Sequence, residues 1–313
     1  MDHSRREGAD RMNHAQGSAY ERLRAAAAQW KVPAAVREVA TAPPGDPEPN
    51  QIWRAVWEHT VQLVVITSVD DTTVQAIAVS LERYADAHTL LLPAEASTLE
   101  QPLALWWGLR QSLPWCVLDR QVSQLTTPLP VSLHPDCPQQ APPGAQWGTT
   151  LPSPAATAAE YRGLVIDHLA RLSGARWEPE GTGTLPQLLQ QHGINARQLA
   201  EHLQLAPPQA LSVWRGQTPI TPEQAQHLAE VLDTSADDLL TANPALPPAV
   251  LHEMNRPLRR WQVRTLAARQ GDTEAQARRR AAFGVFTLAA RQEDRNDVYW
   301  SARADRYFEL HLG

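Results

Sequence analysis

A chain of 313 residues with 43% hydrophobic content has enough apolar material for two or three domains with cores of their own. Its formal net charge of −6 excludes a globally basic nucleic-acid-coating protein, so any nucleic-acid contact has to be local. Two cysteines, Cys116 and Cys137, offer no disulfide framework or metal-ligand spacing, and no apolar run is long enough for a membrane span or a signal peptide, so a cytoplasmic protein without membrane contact is expected.

In chain order, residues 1–50 read as a polar, disordered start, a helix over about Ser18 to Val39, and a stiff proline-rich linker, Ala42 to Pro49. Residues 51–126 change character. Ile52–Trp57, Val61–Val69, Val74–Val79 and Thr89–Pro93 are short runs rich in β-branched residues and bounded by turn signals such as Asp70-Asp71. Leu103–Trp107 and Cys116–Leu118 read as two further strands separated by Gly108–Pro114. Strands this short, without crossover helices, predict a small antiparallel barrel or roll. Trp53, Trp57, Trp106, Trp107 and Trp115 concentrate here. Stacking on single-stranded bases would need a basic groove, and only Arg54, Arg83, Arg110 and Arg120 accompany them, so core packing is the expected role.

Gln51-Ile52-Trp53, the run LVVITSVDD (Leu63 to Asp71) and VLDRQVSQL (Val117 to Leu125) resemble, in that order, the SH3-like barrel of MazF/PemK-type toxins. That resemblance implies an RNA-cleaving site with an arginine before the second strand and a Ser or Thr after the third. Ser80 matches the hydroxyl. The arginine position falls near Gln62, which cannot supply a permanent cation to a developing phosphorane-like charge, so an inert barrel that serves as scaffold or contacts a protein partner is expected.

Residues 127–158 read as a proline-rich linker. Tyr161–Leu172 predicts an amphipathic helix, placed with the segment that follows in a helical domain over 159–243. Gly181-Thr-Gly183 reads as a hinge. From Leu185 to Leu240 five short helices are predicted, each break with a local cause: Gly193, the N-cap Asn195, Pro207-Pro208, Gly216, then Thr221-Pro222 and Ser235 as further starts. Helices this short must share one core. Leu199-Ala200, Leu203, Leu205, Leu211, Trp214-Arg215-Gly216 and then LAEVLDTSADDLL (Leu228 to Leu240) resemble the lambda-repressor-like (XRE, Cro/CI-type) helix-turn-helix family.

The resemblance implies double-stranded DNA as partner, a recognition helix over Pro207–Trp214 and, as helix-turn-helix proteins commonly read two half-sites, a homodimer. The implied contacts are Gln198, Gln209, Ser212 and Arg215. From Thr184 to Asn243, however, the basic residues Arg197 and Arg215 face six carboxylates, while phosphate neutralisation supplies most non-specific affinity. The segment 244–313 offers a remedy. Between Arg256 and Arg280 eight arginines meet only Asp272 and Glu274, and Arg259, Arg260, Arg278, Arg279 and Arg280 are the expected phosphate contacts. A solvated helix face is the alternative for any such run.

No catalytic constellation emerges, and no cofactor or metal is expected. His252-Glu253 lacks the second histidine of an H-E-x-x-H helix, and His134 and Cys137 have no partner pair. The expected architecture is therefore α+β and multidomain: a small β-barrel-like domain, then an all-α half with the helix-turn-helix. The expected function is a sequence-specific transcriptional regulator. A non-catalytic interaction protein is the alternative, and an RNA endonuclease fused to a repressor domain a remote third.

Overall fold

A computed structural model describes residues 42–82, 84–130, 133, 135–136, 141–148, 155–177, 181–290 and 300–313. The expected Ser18–Val39 helix, the 1–17 stretch, Arg83, His134 and Cys137 lie outside them. An antiparallel sheet fills the first part, and ten helices follow among the described residues.

Six strands run β1 Gln51–Trp57, β2 Thr60–Val69, β3 Thr73–Ser80, β4 Thr89–Leu92, β5 Leu103–Pro114 and β6 Leu118–Gln124, with the two-residue β7 Gln146–Trp147. Their order is β6-β1-β2-β3-β5-β4-β7. One isolated bridge, Ser97 to Leu125, brings the segment after β4 to the end of β6. Alternate residues serve two cores. Trp53, Ala55, Val64, Ile66, Ala76 and Ala78 build one, and Ile52, Val65, Ile77, Val79, Leu90 and Leu105 the other. With both faces buried, β2 reads as a continuous apolar run, because no solvent face enforces polar alternation.

Three expectations are corrected here. Gly108–Pro114 is no connector: β5 runs unbroken through it, pairing with β3 from Thr73↔Pro114 to Ser80↔Ala104. The register shifts between Ile77 and Val79, and Gly108 sits opposite that irregularity and donates its N–H to His88 O, a common use of glycine inside a strand. Trp115–Val117 is a 3-10 turn leading into β6 rather than a strand. The segment after 126 is no free linker, since Leu129, Leu133, Ala141 and Ala145 pack on the second core and β7 pairs with β4.

Helix α1, Ala155–Ser173, also changes sides. Val165, Leu169 and Leu172 bury against the sheet and join its first core, so the helix belongs to the β half and not with the helices after residue 181.

The helical half starts with α2 Leu185–Gln191, α3 Ala196–Leu203, α4 Pro207–Trp214, α5 Pro222–Leu232 and α6 Ala236–Ala242. Full capping boxes open α3 (Asn195 with Gln198) and α5 (Thr221 with Gln224), and the Ser235 hydroxyl caps α6. Then follow α7 Pro248–Met254, α8 Pro257–Gln270, α9 Glu274–Ala290 and α10 Trp300–Leu312. Leu189, Leu199, Val213, Leu228 and Leu239 share one core with Val250, Leu266, Phe283 and Phe308. The boundary expected at residue 243 is thus absent, and the C-terminal helices complete the core that five short helices cannot close alone. Fully buried Asn243 clamps the loop before α5, accepting from Ile220 N at 2.9 Å and donating to Ile220 O at 3.0 Å. The expected hinge is tied down as well: Thr182 N and Gly183 N donate to Thr241 O and Asn243 O.

Helices α9 and α10 meet at Gly284, where a Cβ would overlap the Tyr307 ring. That ring is buried and stacked on His311 with centroids 4.1 Å apart. Gly284→Ala is expected to cost about 1–3 kcal/mol in urea unfolding. Trimming the ring as well, as in the pair Gly284→Ala with Tyr307→Leu, should cost less than the sum of the single changes. Strict additivity would show that this close approach carries no strain.

Candidate nucleic-acid interface

The turn between α3 and α4 passes through Gln204 in the left-handed region (φ 51°), and α4 opens on Pro207 after extended Ala206. Ala210 and Val213 of α4 face the core, and the Trp214 indole donates to Ile194 O at 3.0 Å, which locks α4 onto the turn before α3. Burial of that side leaves Gln209, Ser212 and Arg215, spaced by three, on the other. Gln209 and Arg215 are exposed, and Ser212 Oγ lies 2.7 Å from Thr218 Oγ1. On α3, Gln198 spends its Oε1 on Asn195 N, which leaves its amide nitrogen as donor. The four contacts implied by the resemblance therefore do come to the surface of α3 and α4.

Cations are few on this surface. Arg197 pairs with Glu201 at 3.1 Å, both well exposed, a pair of small energetic worth. Arg215 forms no ion pair among the described residues.

The five flanking arginines do something other than expected. Arg259 is 1% exposed and donates to Glu253 Oε1 at 2.7 Å, Asp305 Oδ1 at 2.6 Å and Ser301 O at 3.1 Å. Arg260, also buried, donates to Glu274 at 2.8 Å and crosses to the β half, where it meets Val56 O at 2.8 Å and Cys116 O at 2.9 Å. Arg278 is buried, bonds Asn255 Oδ1 at 2.8 Å and lies over the Trp177 ring at 4.6 Å. Burial pulls its pKa down to about 9, which still leaves a cation at neutral pH. Arg279 pairs with Asp237 of α6, and Arg280 with Asp272 at 2.7 Å. The local surplus of positive charge is consumed by carboxylates that the fold brings in from α6, α7 and α10. These arginines tie helices together and do not form a phosphate-facing row.

Sequence reasoning also missed the seam between the halves. Arg264 of α8 and Arg54 of β1 both pair with buried Asp119 of β6. Arg256 reaches Asp46. A weak signal was present, since Arg260 and Arg264 stand one helical turn apart.

The toxin-like position in the sheet is covered. Gln62 is buried, donates to Val79 O at 2.9 Å and lies 3.2 Å from His168 Nδ1 of α1. Burial lowers the His168 pKa, with Arg171 adding to the effect. Ser80, also buried, accepts from the Trp106 indole at 3.1 Å and donates to Glu82 O. Tyr161 of α1 stacks on Trp106 and donates to Glu82 at 2.9 Å; burial first, then Glu82, pushes its pKa up to about 12. Ser80 is thus buried, with its hydroxyl engaged inside the fold.

Comparisons of the chain with family models, with curated proteins and with solved structures find no match. Among the described residues no group of three or more His, Cys, Asp or Glu could hold a metal ion, and no helix is long and apolar enough to cross a membrane.

Proposed function

We propose that this chain is a non-catalytic, cytoplasmic, sequence-specific DNA-binding regulator of the XRE helix-turn-helix type. It acts as a homodimer and contacts DNA through the α3–α4 surface alone. The observation that carries the reading is the division of α4: Ala210, Val213 and Trp214 are spent on the core, while Gln209, Ser212 and Arg215 are left outward beside Gln198. Gln209 suits adenine and Ser212 is tolerant of either base edge. The β half is a scaffold of SH3-like barrel type, a reading supported by the Ser97–Leu125 bridge.

This reading makes an unusual quantitative demand. With the five flanking arginines paired inside the fold, Arg197 and Arg215 are the basic residues that the α2–α6 segment itself offers to phosphates, so binding through this surface alone should give log K against log salt a slope of about −2 per protomer. For a dimer, raising salt from about 50 to about 200 mM should weaken binding by about 250-fold. Fluorescence anisotropy on a genomic fragment pool reads this directly, and Arg215→Ala should flatten the slope by about one per protomer. Absence of binding at both salts, or a slope steeper than about −8, would overturn the reading. The first result would favour the second reading, an interaction protein. Internal pairing of the arginines and the exposed Leu211 on α4 speak for that alternative.

A further inference from the structure

A cleft of about 470 Å³ opens where the β1–β2 turn, the exit of α1 and the first turns of α9 converge. Its walls carry three guanidinium groups, from Arg176, Arg278 and Arg279, against one carboxylate, Glu58. Its apolar surface comes from two indoles: Trp57 meets Trp177 edge-on at 5.1 Å, and Trp177 turns a face to Arg278 at 4.6 Å. The volume lies within the usual range for small-molecule sites, and aromatic walls with a few convergent charged groups are the usual lining of such sites.

Each cation is set differently. Arg278 is buried and held rigid between Asn255 and Trp177. Arg279 is shared with Asp237 of α6. Arg176 is exposed at the rim, and its Nη1 donates to Ser173 O and Ala175 O, an arrangement that leaves its other donors to the cleft. An indole surface beside a fork of guanidinium donors suits one kind of guest, a flat ring carrying an anionic oxygen group.

We propose that this cleft binds a small aromatic anion, its ring against Trp57 and Trp177 and its phosphate or carboxylate oxygens on Arg176 and Arg279. The site does not depend on DNA binding. A ligand anion competes with Asp237 for Arg279, so occupancy acts on α6 and through it on the helix-turn-helix core.

Calorimetric titration of the full chain tests this with three probes: phenyl phosphate, benzoate and inorganic phosphate. Phenyl phosphate or benzoate should saturate at or below about 1 mM, and whichever is tighter identifies the oxygen group. Inorganic phosphate should bind at least about tenfold more weakly, since it lacks the ring. Arg176→Ala, at an exposed position, should weaken the tighter probe about tenfold. Asp237→Asn should tighten it about threefold by releasing Arg279, a gain that no folding defect mimics. Lack of saturation by either aromatic probe up to about 10 mM, or affinities unchanged in both variants, would overturn the proposal.

Discussion

Arg259→Ala is expected to destabilise the protein by about 2–4 kcal/mol, because it leaves buried Glu253 with Arg256 as its remaining ion partner and removes the donor to Asp305 and the Ser301 carbonyl. Three helices meet at this side chain, α7 through Glu253, α8 through its own backbone and α10 through Ser301 and Asp305. Urea unfolding followed by tryptophan fluorescence would read the loss as a lower midpoint. Removing both charges should be far milder: Arg259→Met combined with Glu253→Leu fills the space and leaves only the solvent-exposed Asp305 without this partner. A loss below about 1 kcal/mol for the single change would show that Arg259 is not the internal strut described here.

Arg260→Ala should cost about 2–4 kcal/mol, and its signature should differ. The side chain donates to Val56 O and Cys116 O across the seam and to Glu274 of α9, so its removal leaves two carbonyls of the β half and one half-buried carboxylate without their donor. Because those bonds join the sheet to the helical half, calorimetry should show one unfolding transition in the parent protein separating into two in the variant. A single transition of unchanged width would mean that Arg264, Arg54 and Asp119 hold the seam without Arg260. Neither substitution should change the salt slope of the proposed DNA binding, since neither side chain faces solvent.

The contrast between these arginines and the capped helices α3 to α6 marks where sequence reading succeeds. Caps, prolines and glycines act within a few residues, so Asn195, Thr221 and Ser235 announced their helices and Gly216 its stop, and the observed bounds of α3 to α6 follow from them. The inner side of α4 was legible only in part: of the apolar residues that mark it in the sequence, Trp214 packs on the core but Leu211 is exposed, and Ala210 and Val213 are the residues buried. The β strands were legible as elements but not in their lengths, because Gly108 signals a break and an irregular register equally well.

By itself the sequence determined the run of short capped helices from Leu185 to Leu240, the antiparallel character of the first half and the acidity of the α2–α6 segment, since propensity, capping and formal charge are local properties. Tertiary structure alone decided the rest. It placed α1 on the sheet, made residues 244–313 the second half of the core under α2–α6, and drew Glu253, Asp237 and Asp305 onto a run of arginines that a charge count presents as a free basic patch. The physical reason is that a charge acts through what lies within a few ångströms of it in space, and the partners of Arg259, Arg260 and Arg279 lie up to 204 residues away along the chain.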